Sequence, residues 1–241
     1  MEQQKGHTLA TFDDALQESK NSVLRMASVA QQNLEHAVNG LLSRNSELCN
    51  EAIADDDEVN TFEKVIDQDG MEILMRFGPV ATDLRQVIAA MKIANNLERI
   101  SDEAGGIARR ARKVGKSVEV PEARLIEPLY EMASGLLQDG IRAYAESDME
   151  LGLDLHSRDE KLDEAHKKII KDLTKAMERD TKNLKVYLHL IFIARCLERI
   201  GDHAVNIGEE SVFVESATDI RHVTPPPIPA SARSETSGLR K

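Results

Sequence analysis

The phrase Leu97-Glu98-Arg99-Ile100-Ser101-Asp102 returns one hundred residues later as Leu197-Glu198-Arg199-Ile200-Gly201-Asp202. A chain that repeats itself at that distance is built as two copies of one supersecondary unit, each able to pack beside its own likeness. The similarity is wider than the phrase. Residues 83–107 set against 183–207 agree at ten of twenty-five positions, from Leu84 to Ile107. Upstream, Asp56-Asp57-Glu58-Val59-Asn60 falls on Asp159-Glu160-Lys161-Leu162-Asp163 with an offset of 103, so the halves differ in length by 103 − 100 = 3 residues.

The unit is helical. Ile93, Leu97, Ile100, Ala104, Ile107 and Ala111 follow alternating steps of four and three, the seam of a helical bundle. The same period predicts a helix from Phe12 to about Leu42, a second from Ser46 to about Phe77, and a third that reaches about Val114. Gly78-Pro79 ends the second, because proline lacks the donor and crowds the preceding turn. Thr82 or Asp83 is expected to cap and complement the start of the third. Gly115 to Pro121 breaks the period as a linker, and three more helices are expected near 122–147, 149–179 and 182–215. Hydrophobic residues at 41% with only 3% aromatics and no Trp suit a core of aliphatic helix formers. The fold expected is all-α: two tandem repeated three-helix bundles of six long helices, over 8–115 and 122–215, with a disordered proline-rich tail over 219–241.

Charge and cysteine usage narrow the function classes. A net charge of −11 disfavours nucleic acid as a partner, which requires a basic footprint. The one basic cluster, Arg109-Arg110-Arg112-Lys113-Lys116, reads as cations complementing the C-terminal end of a helix. Cys49 and Cys196 lie on apolar-periodic stretches with no zinc-type spacing, so buried free thiols in a reducing compartment are expected. No basic stretch followed by an apolar run marks a secretory leader, and the apolar run around Leu190–Ala194 is too short to cross a bilayer. A cytoplasmic protein without membrane insertion is expected.

Each repeated phrase places two carboxylates four residues apart on one helix face, Glu98 with Asp102 and Glu198 with Asp202, where like charges repel. They flank the seam, about 100° from its apolar residues. Asp159 and Asp163 form another such pair, with Asp56 and Asn60 at the matching places in the first half. His203 and His166 are further candidate ligands or supporting groups. Two readings stand side by side. The acids form solvated ion pairs with neighbours such as Arg99, Arg195 and Arg199, Arg99 reaching Asp102 or Glu103, or they hold a cation between helices. No Gly-rich phosphate loop, GxSxG, HExxH or Glu-x-x-His pair is present, and nothing marks a nucleophile, so no enzyme is expected.

The twin phrases, together with Pro79-Val80-Ala81-Thr82-Asp83-Leu84-Arg85, Phe12-Asp13 and Asp202-His203-Ala204-Val205-Asn206-Ile207, resemble the PhoU family of bacterial phosphate-uptake regulators over roughly 8–215. The resemblance implies multinuclear metal clusters, of iron or zinc or alternatively magnesium or manganese, on Glu98, Asp102, Glu198 and Asp202, then Asp159 and Asp163. His203, Arg99, Arg199, Asp56 and Asn60 would stand in support. Asn60, Asn96 and Gly78 depart from the family's pattern, which implies a weaker first-half site. The implied role is a negative regulator of phosphate uptake and of the phosphate-starvation regulon. It would be a cytoplasmic, commonly homodimeric adaptor between the ATP-binding subunit of the phosphate-specific ABC transporter and its sensor histidine kinase. The alternative from another class is a metal-carboxylate bundle enzyme or metal store.

Overall fold

A computed structural model of the chain describes residues 2–220, with side chains from Thr11 onward, so of the tail expected over 219–241 the part from 221 lies outside the described residues. Among them there is no strand. The helices are α1 (Glu2–Leu42), α2 (Ser46–Ala54), α3 (Asp56–Phe77), α4 (Ala81–Gly115), α5 (Ile126–Glu146), α6 (Met149–Arg179) and α7 (Leu184–Ser216). Short 3-10 turns at Pro121–Leu125 and Thr181–Asn183 lead into α5 and α7. The two tandem three-helix bundles are present: α1, the α2–α3 pair and α4, then α5, α6 and α7.

Two local expectations change. The second helix is interrupted at Asp55, which ends α2 with its N–H on the Glu51 carbonyl and at once precedes α3. Asp55 keeps near-helical angles (φ −64, ψ −19), so the break is a one-residue offset that leaves the apolar spacing almost intact. Neither Thr82 nor Asp83 caps α4, which starts at Ala81 behind the extended Val80 with no side-chain cap bond, but Asp83 lies in its first turn, where its charge complements the macrodipole. Thr82 Oγ1 accepts from Arg85 instead. Gly78 ends α3 as expected, in the left-handed conformation (φ +57), which glycine adopts without a Cβ clash.

The two copies of the repeated helix meet at the centre. α4 and α7 run antiparallel, as successive links show: Arg85 Nε donates to Val214 O (2.9 Å), Lys92 bonds Glu210 (3.0 Å), and Arg199 pairs with Glu103 (2.6 Å). One hydrophobic core therefore runs through both halves, from Val23 and Met26 on α1 across Leu97 and Ile100 to Leu190 and Leu197.

Glycines let α5 and α6 approach α7 closely. A Cβ on Gly140 would stand 2.8 Å from the Ala204 carbonyl oxygen, and one on Gly152 would stand 2.8 Å from that of Gly208. Both obstacles are backbone, so a side chain can be accommodated only by moving a helix. Gly140→Ala is expected to lose about 1–3 kcal/mol by overpacking, partly offset by about 1 kcal/mol of helix propensity. Urea denaturation checks this; a net gain in stability would show that α5 can shift freely.

Candidate metal-binding acid faces

The acids flanking the central seam lie along the α3–α4 and α6–α7 pairs of their own halves, Glu98, Glu198, Asp159 and Asp163 half-buried, Asp102 and Asp202 exposed. On α6 and α7 the structure brings Asp159, Asp163, Glu198 and Asp202 close enough to perturb one another. Burial, then the charges of Asp202 and Asp163, push the Asp159 carboxyl up to about 6. Asp202 is exposed as a residue, yet the protein crowding its carboxyl, with Glu198 and Asp163, also pushes it up to about 6. Glu198 is raised as well, by burial and then by Asp163. Asp159 Oδ1 is buried and accepts no hydrogen bond. Close by in sequence, His166 Nε2 is also buried without a partner, and burial lowers its pKa, favouring the neutral imidazole that binds metals.

The first half repeats this plan with a different outcome. Glu98 on α4 is raised by burial and then by Asp102, Glu63 and Asp56, and its Oε2 is buried without a hydrogen bond although Arg99 Nε stands 3.4 Å away. Arg99 thus turns to Glu98, not to Asp102 or Glu103 as its spacing suggested. Asp56, the counterpart of Asp159, is satisfied: Ser101 donates to its Oδ1 at 2.8 Å and in turn accepts from Asn33 at 2.7 Å. In the second half Gly201 stands in place of Ser101, and a Cβ there would lie 2.9 Å from Asp159 Oδ1 and 2.2 Å from Leu162 Cδ2. One hydroxyl therefore decides which half-buried aspartate is left without a donor.

Several candidates lie elsewhere than their spacing suggests. His203 does not join the acids on α6; its Nδ1 is 3.0 Å from Asn96 Oδ1 on α4, and burial followed by Arg199 lowers its pKa. Arg199 crosses to Glu103 of α4. Lys167 is the cation nearest Asp163, at 3.6 Å. Asn60 lies half-buried on α3 in the first-half groove, one turn after Asp56. Glu63 was missed by sequence reasoning. Its signal was available: the offset of 103 that carries Asp56 to Asp159 carries Glu63 to His166.

These residues fit a metal in chemistry: anionic oxygens and one imidazole, with a buried acceptor lacking a donor. Among the described residues, no three His, Cys, Asp or Glu side chains converge on one point as they stand. Holding an ion therefore requires side-chain rotation.

The raised carboxyls imply a sign for the pH dependence of the metal-free protein. Between the ordinary aspartate value of about 4 and about 6, the folded state binds more protons than the unfolded state. Stability from these groups is thus greatest on the acid side and is lost as pH rises through about 6. Denaturation in chelator at pH 5 and pH 7.5 is expected to show this slope, and Asp159→Asn to flatten it; equal slopes in both proteins would refute the assignment.

Comparison with known proteins supplies the remaining constraint. The PhoU domain family matches residues 23–111 and again 126–211. The phosphate-specific transport system accessory protein PhoU homolog of Pseudomonas aeruginosa is 32% identical over 218 residues, 90% of each chain. The homolog of the same name in Caulobacter vibrioides is 32% identical over 204 residues, 84% of this chain and 89% of that one. The crystal structure of PhoU from Pseudomonas aeruginosa superposes with a TM-score of 0.83 at 32% identity, over 86% of this chain and all of that one. The phosphate transport system regulatory protein PhoU from Streptococcus pneumoniae shares the fold, with a TM-score of 0.79 at 23% identity over 86% of this chain and 98% of that one.

Proposed function

Because the chain belongs to the PhoU family, we propose that it is a regulatory accessory protein of phosphate-specific transport, a negative regulator of phosphate uptake and of the phosphate-starvation regulon. The observation that carries this reading is that the family matches both halves, each with its acid phrase intact. The protein acts in the cytoplasm as an adaptor, with 8–115 and 122–215 as its two repeats, and as a homodimer. It relays the state of the ATP-binding subunit of the phosphate transporter to the sensor histidine kinase by contact, without a reaction of its own. Long charged helix faces are suited to such docking, and no described helix is long and apolar enough to cross a membrane.

The acid faces support the fold of the adaptor. Glu198, Asp202, Asp159 and Asp163 would hold a metal on the second half, Glu98 and Asp102 on the first, and the ion would supply positive charge that offsets their repulsion. His166 inclines the second site toward iron or zinc, whereas the oxygens alone suit magnesium or manganese. Ser101 already compensates Asp56, so the first face needs an ion less. The unpartnered Asp159 and His166 also keep a second reading open, a metal store or metal-carboxylate enzyme. Metal-dependent turnover of oxygen or a phosphoester, lost in Asp202→Ala, would favour it.

Deleting the coding region tests the regulatory role. Phosphate-starvation genes are expected to be expressed in phosphate-rich medium, and unchanged expression would overturn the reading. Pull-down with the transporter's ATP-binding subunit and the sensor kinase tests the adaptor part separately.

A further inference from the structure

A cavity of about 300 Å³ opens away from both acid faces, where α1, the start of α4, the α5–α6 turn and the end of α7 meet. It is at the small end of ligand pockets. Leu16, Val87 and Val214 give it apolar walls, and the carboxylates of Asp13, Asp83 and Glu215 line it without an ion pair among the described residues. The Ser19 hydroxyl also lines it, 4% exposed as a residue and with no hydrogen-bond partner.

The duplication indicates what the cavity would hold. By the offset of 103, the α5–α6 turn residue Ser147 corresponds to Arg44 in the α1–α2 turn, and both are left-handed, with φ +54 and +55. By the offset of 100, Glu215 at the end of α7 corresponds to Gly115 at the end of α4. In the first half the Arg44 guanidinium fills the equivalent corner, donating to the carbonyls of Gly115 (2.8 Å) and Ser117 (2.6 Å). In the second half the arginine is a serine, and the helix end has gained a carboxylate.

The C-terminal ends of α5 and α7, whose carbonyls carry partial negative charge, both reach this place. Two resident cations are already engaged by main-chain carbonyls: Lys20 donates to Ala145 O (2.8 Å) beside the Tyr144 ring, and Arg85 donates to Val214 O (2.9 Å). The three carboxylates remain without an ion pair among the described residues.

We propose that this cavity binds a small organic cation of the alkyl-guanidinium or alkyl-diamine class, whose head occupies the space that Arg44 fills in the other half. The guanidinium or ammonium donates to Asp83 and Glu215, Ser19 accepts a further N–H, and the alkyl chain lies on Leu16 and Val87. The site is independent of the phosphate-regulation reading and of any metal.

The test is calorimetric titration of the full chain with agmatine, putrescine and the neutral n-butylurea, in salt of about 0.15 M so that diffuse attraction is screened. Saturable one-site binding of a cation and none of butylurea is expected. Ser147→Arg, which supplies the missing plug at a backbone conformation that Arg44 shows an arginine adopts, is expected to weaken binding at least tenfold, as is Asp83→Asn. Ser157→Arg, the same charge change on the exposed face of α6, is expected to leave it unchanged. No saturable binding of either cation, or equal weakening by Ser147→Arg and Ser157→Arg, would overturn the proposal.

Discussion

Lys92→Ala is expected to lower unfolding free energy by roughly 3 kcal/mol, because it strands a charge that the fold has already buried. The Glu210 side chain is 6% exposed, and Lys92 Nζ lies 3.0 and 3.2 Å from its two oxygens. The lysine end is 37% exposed and rests over the Phe213 ring at 5.4 Å, which places the loss at the lower end of the range for breaking a buried pair. Glu210→Gln keeps an acceptor for Lys92 and removes the buried charge, so its loss is expected to be smaller. The double variant Lys92→Met, Glu210→Met is expected to recover most of the stability. Urea denaturation of the parent protein, Lys92→Met, Glu210→Met and the double variant closes the cycle, and additive losses would show that the pair is not coupled. The pair ties α4 to α7, so its removal also loosens the junction between the two halves.

An effect of similar size is expected from Leu155→Ala, about 2–5 kcal/mol, the cost of a cavity where neighbours cannot collapse. Leu155 is fully buried on α6, and its Cδ1 occupies the hollow left by two glycines of neighbouring helices, 2.4 Å from where a Gly208 Cβ would stand and 3.6 Å from that of Gly140. Backbone contacts at Gly140 and Gly152 keep the helices from closing over the void. Adding Gly208→Ala to Leu155→Ala places a methyl in the vacated space, so the double variant is expected to lose less than the sum of the singles. A denaturation midpoint for Leu155→Ala within error of the parent protein would mean the three helices repack without cost.

The regular part of this structure was legible because a helix is specified locally. Ile93, Leu97, Ile100 and Ala104 repeat at bundle spacing, and Gly78-Pro79 can only end a helix, so the long helices and the two bundles follow from residues near in sequence. The break at Asp55 was not legible, because a one-residue offset hardly disturbs the apolar period. The Val80 start of α4 was equally hidden, since a helix end without a side-chain cap leaves no local signal.

Two like helical units, each with Glu98 and Asp102 or Glu198 and Asp202 on the flank of a buried seam, follow from the order of residues along the chain. Which of these acids have partners depends on packing between helices. Ser101 reaches Asp56, whereas Gly201 leaves Asp159 Oδ1 without a donor, and Arg199 goes to Glu103 of the other half in preference to the acids beside it. The same holds for the corner that Arg44 fills in one half and Ser147 leaves open in the other. Periodicity is a property of neighbours along one helix. Desolvation, hydrogen bonding and charge compensation depend on distances of a few ångströms between helices far apart in the chain, and those are set only when the seams close.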